Sequence, residues 1–269
     1  MVKAGKQYEI SSLTNEKVKF ITSLSQRKYR KELNLFVAEG VRICKEALES
    51  NWNIKYLLFD VSNKDNLLIH NLINETLLLG GDVIGVTPQI LIKISHKTNP
   101  QNVLGVFEQK WKKLSQVTSV GTIVALENIR DPGNLGTILR TMDGVGAGNC
   151  ILLNECTDPF SYEAVRASMG AIFNVNMIAS TTKNLIKWKL NNKINFIGTS
   201  LKNSIDYTTT NWRSPFVLAM GNEQKGLSDE LSGACDQLVK IPMKGKSDSL
   251  NLAVSTGIAL YESIRNIPN

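Results

Sequence analysis

The chain has 269 residues, 42% apolar and 20% charged, so it can bury an ordinary hydrophobic core, and this balance excludes disordered and fibrous proteins. Its length predicts one large domain or two small ones, and no apolar run reaches the roughly 18 residues of a membrane span. The 31 basic and 24 acidic residues give a net charge of +7, which by itself identifies no partner.

Almost all of the excess charge lies at the N-terminus. Residues 1–31 hold eight Lys or Arg and two Glu, a net charge of +6, so the remaining residues carry only +1. Such a concentration is typical of a surface that binds a polyanion, although a solvated basic face on a short helix is the alternative. The candidate phosphate contacts in the run QRKYRKE are Arg27, Lys28, Arg30 and Lys31.

Neither the N-terminus nor the cysteines indicate export. The start MVKAGKQYEI lacks the apolar core of a signal peptide, so we expect a cytoplasmic protein. There is no CxxC pair and there are only two histidines, which predicts free thiols and no metal site. The cysteines are Cys44, Cys150, Cys156 and Cys235.

The first part of the chain alternates predicted helices and strands. Helices are expected over Leu13–Leu24, Val41–Leu48, the run LLIHNLINETLLL and the stretch after Thr87-Pro88. Strands are expected at LFVAEG, YLLFD, DVIGV and NVLGVFE. This alternation predicts a small α/β unit that ends near Trp111.

A polar stretch, QKWKKLSQVTS, precedes a second alternating region. Strands are expected at TIVAL, CILL, FNVNM, NFIGTS, FVLAMG and LVKIPM, and a last helix from about Leu252 to Arg265. We therefore divide the chain into domains of residues 1–112 and 113–269.

The first segment that bears on chemistry is ENIRDPGNLGTILR, in which a strand leads through a turn into a helix. The apolar residues Leu135, Ile138, Leu139 and Met142 form a buried stripe, and Arg140 points roughly 150° away from it. Arg140 is therefore available to a ligand or partner, or is simply an exposed helical arginine. Asn134 could likewise be only a turn or N-cap residue.

Two further segments follow buried strands. MGNEQKGLS has the glycine spacing of a phosphate loop but lacks the Lys-Ser/Thr of a Walker A motif, and GVGAGN ends a helix instead of opening one. A nucleotide-binding oxidoreductase is accordingly a weak alternative. IPMKGKSDSLNLAVSTG is a polar loop before the last helix, which Ser249 could simply cap.

Together these segments resemble the SpoU (TrmH-type) RNA 2′-O-ribose methyltransferases of the SPOUT superfamily, over about residues 121–265. SYEAVRASMGA looks like the arginine-containing loop of that family, and the front segment is similar to the small RNA-binding domain that often precedes it. The resemblance implies an α/β fold: a small N-terminal α/β RNA-binding domain (1–112), then a SPOUT domain (113–269) whose parallel sheet ends in a C-terminal trefoil knot.

The resemblance also implies a cofactor, a partner and site residues. S-adenosylmethionine would be bound by Thr199, Gly221, Ile241, Met243 and Leu250. Catalysis would rest on Arg140, Asn134, Glu223, Ser249 and Asn251, and Arg166 would contact an RNA phosphate. Because a guanidinium has a pKa above about 12, Arg140 would stabilise charge and not act as a base.

The implied protein is a homodimer through the knotted domain, and Arg140 would serve the cofactor of the neighbouring subunit. The separate basic front domain favours ribosomal RNA as the substrate over transfer RNA, which stays an alternative. A non-catalytic RNA-binding or ribosome-assembly protein of the same fold is the other alternative. The presence of all five catalytic candidates argues against it.

Overall fold

A computed structural model describes residues 4–265 as an α/β protein. Its strands are β1 (Gln7–Ile10), β2 (Leu35–Glu39), β3 (Ile54–Asp60), β4 (Asp82–Val86), β5 (Val103–Glu108), β6 (Trp111–Lys112), β7 (Thr122–Glu127), β8 (Asn149–Leu153), β9 (Asn176–Ser180), β10 (Asn195–Thr199), β11 (Ile205–Asp206), β12 (Phe216–Met220) and β13 (Gln237–Lys240). Its α-helices are α1 (Glu16–Ser23), α2 (Arg27–Leu33), α3 (Val41–Glu49), α4 (Leu67–Leu78), α5 (Pro88–Ser95), α6 (Pro132–Gly144), α7 (Tyr162–Ala167), α8 (Thr182–Asn192), α9 (Asp229–Ala234) and α10 (Leu252–Ile264).

These elements pack as two units. The first unit consists of residues up to 109 together with 160–173, and the second unit consists of 110–159 together with the residues from 174 onward. No helix within residues 4–265 is long and apolar enough to cross a membrane.

The first unit contains a five-stranded sheet in the order β1-β4-β3-β5-β2. Strand β5 runs antiparallel to both of its neighbours, whereas β1, β4 and β3 are parallel to one another. Helices α1 and α5 supply Val18, Ile21 and Ile94 to a core cluster that also contains Val37 and Leu104 of the sheet. Burial on both faces explains why the strands of this sheet are almost continuously apolar.

An aromatic cluster ties residues 160–173 into the first unit. Phe36 contacts Phe160 at 4.7 Å and Phe173 at 6.1 Å between ring centroids, and Trp52 contacts Phe173 at 5.2 Å. The indole nitrogen of Trp52 also donates a hydrogen bond to the Phe173 carbonyl at 2.9 Å. The sequence predicts a single domain boundary after residue 112. The segment 160–173 lies beyond that boundary but packs in the first unit, because its aromatic side chains complete this cluster.

The second unit contains an eight-stranded sheet in the order β11-β13-β10-β12-β7-β8-β9-β6, and every neighbouring pair is parallel. All five residues of β12 are buried. Helix α10 packs on α6, and α8 packs on α9. The expected α/β class, with a parallel sheet in the C-terminal part, is confirmed.

Two details of the predicted elements are wrong. The edge strand β1 was not expected, because its alternation of polar and apolar residues covers only four positions and only Ile10 among them is buried. Strand β9 covers Asn176–Ser180 and not the predicted run FNVNM, because Phe173 belongs to the aromatic cluster of the first unit.

Candidate active site

A cavity of about 630 Å³, here called the active-site cavity, lies at the carboxyl ends of strands in the sheet of the second unit. The strands are parallel, so the loops that follow β10, β12 and β13 meet at their carboxyl ends, where ligands bind in α/β sheets. All five residues expected to bind the cofactor line this cavity: Thr199, Gly221, Ile241, Met243 and Leu250.

The loop after β12 is closed on itself by its own backbone. Asn222 and Gly226 exchange two hydrogen bonds of 3.0 and 2.9 Å, and Gly226 has a φ of +71°. A Cβ on Gly221 would lie 2.0 Å from the carbonyl carbon of Gly226. Glycine is therefore required at 221 by the loop itself, because a side chain there would overlap the Gly226 backbone.

A buried carboxylate anchors the far end of this loop. Glu127, at the end of β7, is 1% exposed and accepts hydrogen bonds from the Ser228 amide at 2.8 Å and the Ser228 hydroxyl at 2.9 Å. It also accepts one from the Thr182 hydroxyl at 2.6 Å. Since Ser228 is the N-cap of α9 and Thr182 begins α8, one side chain fixes two helix starts beside the cavity.

Three of the catalytic candidates form a hydrogen-bonded group. The Asn251 amide donates to the Asn134 side-chain oxygen at 2.9 Å, and the Asn134 amide donates to the Glu223 carboxylate at 3.3 Å. Glu223 and Ser249 line the cavity. This polar group therefore connects the start of α6, the loop after β12 and the start of α10.

The capping roles differ from those considered in the sequence. Asp131 is the N-cap of α6 and accepts the Asn134 amide N–H at 2.6 Å. Asn251 is the N-cap of α10 and accepts the Ala253 amide N–H at 2.8 Å, so Ser249 does not cap that helix. The Asn134 side chain is left to join the polar group.

Arg140 stands apart from that group. It is exposed on α6 and has no hydrogen-bond or ion-pair partner within residues 4–265. It lies six residues beyond Asn134, which is about 9 Å along the helix and on a different face. Arg140 does not line the active-site cavity of its own chain.

The basic residues of α2 divide into two kinds. Arg27, Lys28 and Lys31 are exposed, as a phosphate-binding surface requires. Arg30 is only 4% exposed, and its guanidinium donates to the Leu24 and Ser25 carbonyls at 2.8 and 2.7 Å. The expectation that Arg30 contacts RNA is corrected, because this side chain holds the turn between α1 and α2.

Arg166 is exposed on α7 and belongs to the first unit. It has no partner among residues 4–265, so its guanidinium can meet an anion.

Three residues contribute to the site but were not predicted from the sequence: Glu127, Asn222 and Ser228. The amide of Asn222 donates to the Asn128 carbonyl at 2.9 Å and so links the loops after β7 and β12. Ser228 carried a readable signal, since a serine followed by Asp229 and Glu230 is a typical helix start. Nothing local in the sequence indicates that Glu127 meets Ser228 across a separation of 101 residues.

A parallel α/β sheet with a large cavity over its carboxyl edge and a polar group at the rim is the arrangement of an enzyme that binds a small-molecule cofactor. Residues 121–261 match the model of the SpoU rRNA Methylase family, and the chain belongs to that family. Residues 15–105 match the MRM3-like substrate binding domain.

Similar proteins cover nearly the whole chain. An AdoMet-bound rRNA methyltransferase from Sinorhizobium meliloti has a TM-score of 0.92 and 41% identity, covering 98% of this chain and 100% of that chain. The 23S rRNA (guanosine(2553)-2'-O)-methyltransferase RlmP of Bacillus subtilis (strain 168) is 27% identical over 94% of this chain and 98% of its own length. The 23S rRNA (uridine(2479)-2'-O)-methyltransferase of Streptomyces viridochromogenes is 27% identical over 90% of this chain and 86% of its own length.

Proposed function

We propose that the chain transfers a methyl group from S-adenosylmethionine to a ribose 2′-hydroxyl of ribosomal RNA. Family membership and relatives named as 23S rRNA 2'-O-methyltransferases support this proposal. The observation that carries it is that one cavity is lined by all five expected cofactor-binding residues, with Glu223 and Ser249 beside them.

The lining of the active-site cavity fits S-adenosylmethionine. Its volume falls within the roughly 300–1,000 Å³ of small-molecule pockets, and Ile241, Met243 and Leu250 give it apolar walls. The closed loop at Gly221 presents backbone groups, which can hydrogen-bond an adenosine ring. When bound, this cofactor would supply an electrophilic methyl group on a sulfonium and leave as the neutral thioether, while the 2′-hydroxyl gives up its proton to solvent.

The chain's own residues position the ribose. Asn134, Glu223 and Asn251 hold one another through the two hydrogen bonds already described, and this pre-set geometry lowers the cost of orienting the 2′-hydroxyl. Ser249 at the cavity edge offers a further hydroxyl for the sugar or phosphate.

Arg140 stabilises the negative charge that develops on the 2′-oxygen. A guanidinium remains protonated, so its contribution is electrostatic and not that of a base. Because Arg140 does not line the cavity of its own chain, we place it in the site of a second copy, in a homodimer through the second unit.

Two further parts of this proposal concern threading and location. The family resemblance implies that the chain from β13 to α10 threads a C-terminal trefoil knot. The position of β13 between β10 and β11 and the contact of α10 with the turn after β11 are compatible with such threading. A ribosomal RNA substrate points to the cytoplasm.

The first test substitutes Arg140. We expect Arg140→Ala to lower methyl transfer to ribosomal RNA at least 100-fold, as the loss of a transition-state donor commonly does, with the S-adenosylmethionine Kd near that of the wild type. Transfer is measured with radiolabelled cofactor, and the Kd by calorimetry. Equal losses of both would contradict the assignment.

A mixed dimer tests the placement across subunits. One copy carries Arg140→Ala and the other a cavity-filling Leu250→Trp, and we expect one working site per dimer and recovery of part of the activity. An inactive mixture would assign Arg140 to its own chain.

Mapping 2′-O-methyl sites in total RNA with and without the gene identifies the nucleotide, and a change confined to transfer RNA would overturn the ribosomal assignment.

A further inference from the structure

The first unit contains a cavity of its own, of about 270 Å³, here called the α7 cavity. Its apolar lining consists of the partly exposed Ile43 on α3 and Tyr162 on α7, in front of the buried Val37 on β2 and Val165 on α7. Ser25, in the turn before the basic helix α2, lies at another side. This volume lies below the roughly 300–1,000 Å³ of drug-sized sites, so it suits one flat ring system.

The polar lining combines one ion pair with two exposed basic side chains. The Lys97 ammonium pairs with one oxygen of Glu39, and the other oxygen accepts the Gln101 amide N–H at 2.7 Å. His96 and Arg166 line the same cavity and have no hydrogen-bond or ion-pair partner within residues 4–265. Glu163 also lines the cavity, and Arg166 is the lining arginine that makes no ion pair within residues 4–265 and so remains able to bind an anion.

The positions of the lining residues along the chain indicate that the ligand is part of the RNA substrate. Ser25, Val37, Ile43, His96 and Lys97 fall within residues 15–105, which match a substrate binding domain. Arg166 comes from the segment that lies within the matched methylase region but packs in the first unit. The exposed cations of α2 follow Ser25 directly in the chain.

We propose that the α7 cavity holds one unstacked nucleotide of the RNA substrate, with its base against Ile43 and Tyr162 and its phosphate on Arg166. This proposal rests on the proposed function, since it names a subsite for the same RNA. Proteins that recognise RNA by sequence commonly stack unpaired bases on aromatic or Arg side chains and read their edges by hydrogen bonds. His96 and Lys97 stand where they can read such an edge.

Photo-cross-linking tests the location. Ribosomal RNA transcripts that carry 4-thiouridine or 6-thioguanosine are irradiated with the full-length wild-type protein, and modified peptides are identified by mass spectrometry. We expect nucleotide adducts on the peptides that contain His96–Lys97 and Tyr162–Arg166. Adducts confined to other peptides would overturn the proposal.

Two variants test the parts of the nucleotide separately. Ile43→Trp fills the cavity without changing charge, and Arg166→Ala removes the phosphate partner. Each should weaken RNA binding on the order of 10-fold, the effect expected for the loss of one stacked base. Lys55→Ala, an exposed cation on β3 of the same unit, is the control and should bind RNA as the wild type does.

The outcomes separate this subsite from the proposed function. Absence of methyl transfer by the wild type contradicts the function but leaves the cross-links as a direct test of the cavity. Wild-type RNA affinity in both variants, with transfer intact, contradicts the cavity alone. A loss of RNA affinity with Arg166→Ala but not with Ile43→Trp would identify a surface phosphate contact and overturn the base site.

Circular dichroism and S-adenosylmethionine affinity verify that the variants fold. If the larger ring of Ile43→Trp unfolds the chain, Ile43→Phe replaces it.

Discussion

Glu127 shows how one buried side chain can hold the active-site loop without touching a substrate. Its buried carboxylate accepts hydrogen bonds from the Ser228 amide and from two hydroxyls. Removal would leave the buried Thr182 hydroxyl and the part-buried Ser228 donors without this acceptor, which costs more than the net value of the hydrogen bonds themselves. The residue therefore links the stability of the second unit to the shape of the cofactor cavity.

We expect Glu127→Ala to lower the free energy of unfolding by roughly 2–4 kcal/mol and to weaken S-adenosylmethionine binding. Glu127→Gln should restore most of both, because an amide can still bond to the Ser228 and Thr182 hydroxyls. Urea unfolding and calorimetry measure the two effects. Glu155→Ala, at an exposed ion pair with Arg130, is the matched control, and an equal loss there would contradict the assignment.

The cysteines predict a pattern of chemical reactivity. Burial raises the pKa of the Cys44 thiol to about 12, and it raises the pKa of Cys150 and Cys156 as well. Burial also raises the pKa of Cys235 to about 12, but this side chain is partly exposed. Since the thiolate is the reactive form, all four should react slowly with Ellman's reagent at pH 8, with Cys235 first.

In guanidinium chloride all four thiols should react at the rate of a model thiol. The rates are followed by absorbance and the sites by mass spectrometry. Rapid labelling of Cys44 or Cys150 in the native protein would contradict the burial described for them.

Among the secondary-structure elements, α2 combines two roles that a charge count does not separate. Three of its cations are exposed, whereas Arg30 is used internally on backbone carbonyls. A hydrogen bond to the chain's own carbonyls cannot be read from composition. One side of α2 is therefore a candidate RNA-binding surface, and Arg30 on the other side stabilises the turn between α1 and α2.

Replacing Arg27, Lys28 and Lys31 by Gln should weaken RNA binding and make the plot of log affinity against log salt shallower by a slope of roughly 2. Fluorescence anisotropy at several salt concentrations measures this slope. The equivalent triple substitution of Lys183, Lys187 and Lys193, exposed on the second unit, is the control and should leave it unchanged.

Arg30→Gln should behave differently from that triple variant. Its main effect should be a free energy of unfolding lower by roughly 1–3 kcal/mol, because it leaves two carbonyls without their charged donor. If Arg30→Gln kept normal stability and changed the salt dependence of RNA binding as much as the triple variant does, Arg30 would be an RNA contact after all.

How far the sequence predicts an element depends on how much of that element is buried. Helices α6 and α10 have clear apolar stripes, and the central strands β7, β8 and β12 of the parallel sheet are largely apolar, so both were predicted. Strand β1 buries one residue of four and both residues of β6 are exposed, so these short edge strands give only a weak hydrophobic pattern. The cavity residues followed from motif resemblance, whereas the Glu127–Ser228 contact depends on tertiary packing that no local pattern encodes.

At the scale of the whole molecule, the segment 160–173 means that the second unit is not a continuous stretch of chain. A fragment of residues 110–269 would carry Phe160 and Phe173 without Phe36, Trp52 or Phe107, their partners in the aromatic cluster. Exposed aromatic rings of this kind promote association.

We expect that fragment to unfold at a lower temperature than the full chain, or to aggregate. Replacing its residues 160–173 by a short Gly/Ser linker should improve its solubility. Differential scanning calorimetry and light scattering compare the three proteins. A fragment as stable and monomeric as the full chain would show that the segment does not need the first unit.

The aromatic cluster also sets an order of events during synthesis. N-terminal domains generally fold first as a chain emerges. Here Phe36, Trp52 and Phe107 are made early but must wait for Phe160 and Phe173, after β7, α6 and β8 of the other sheet have already appeared. The nascent chain therefore passes through a stage in which its first sheet is complete while its hydrophobic face is still open, a stage at which chaperones that recognise exposed aromatic surface can act.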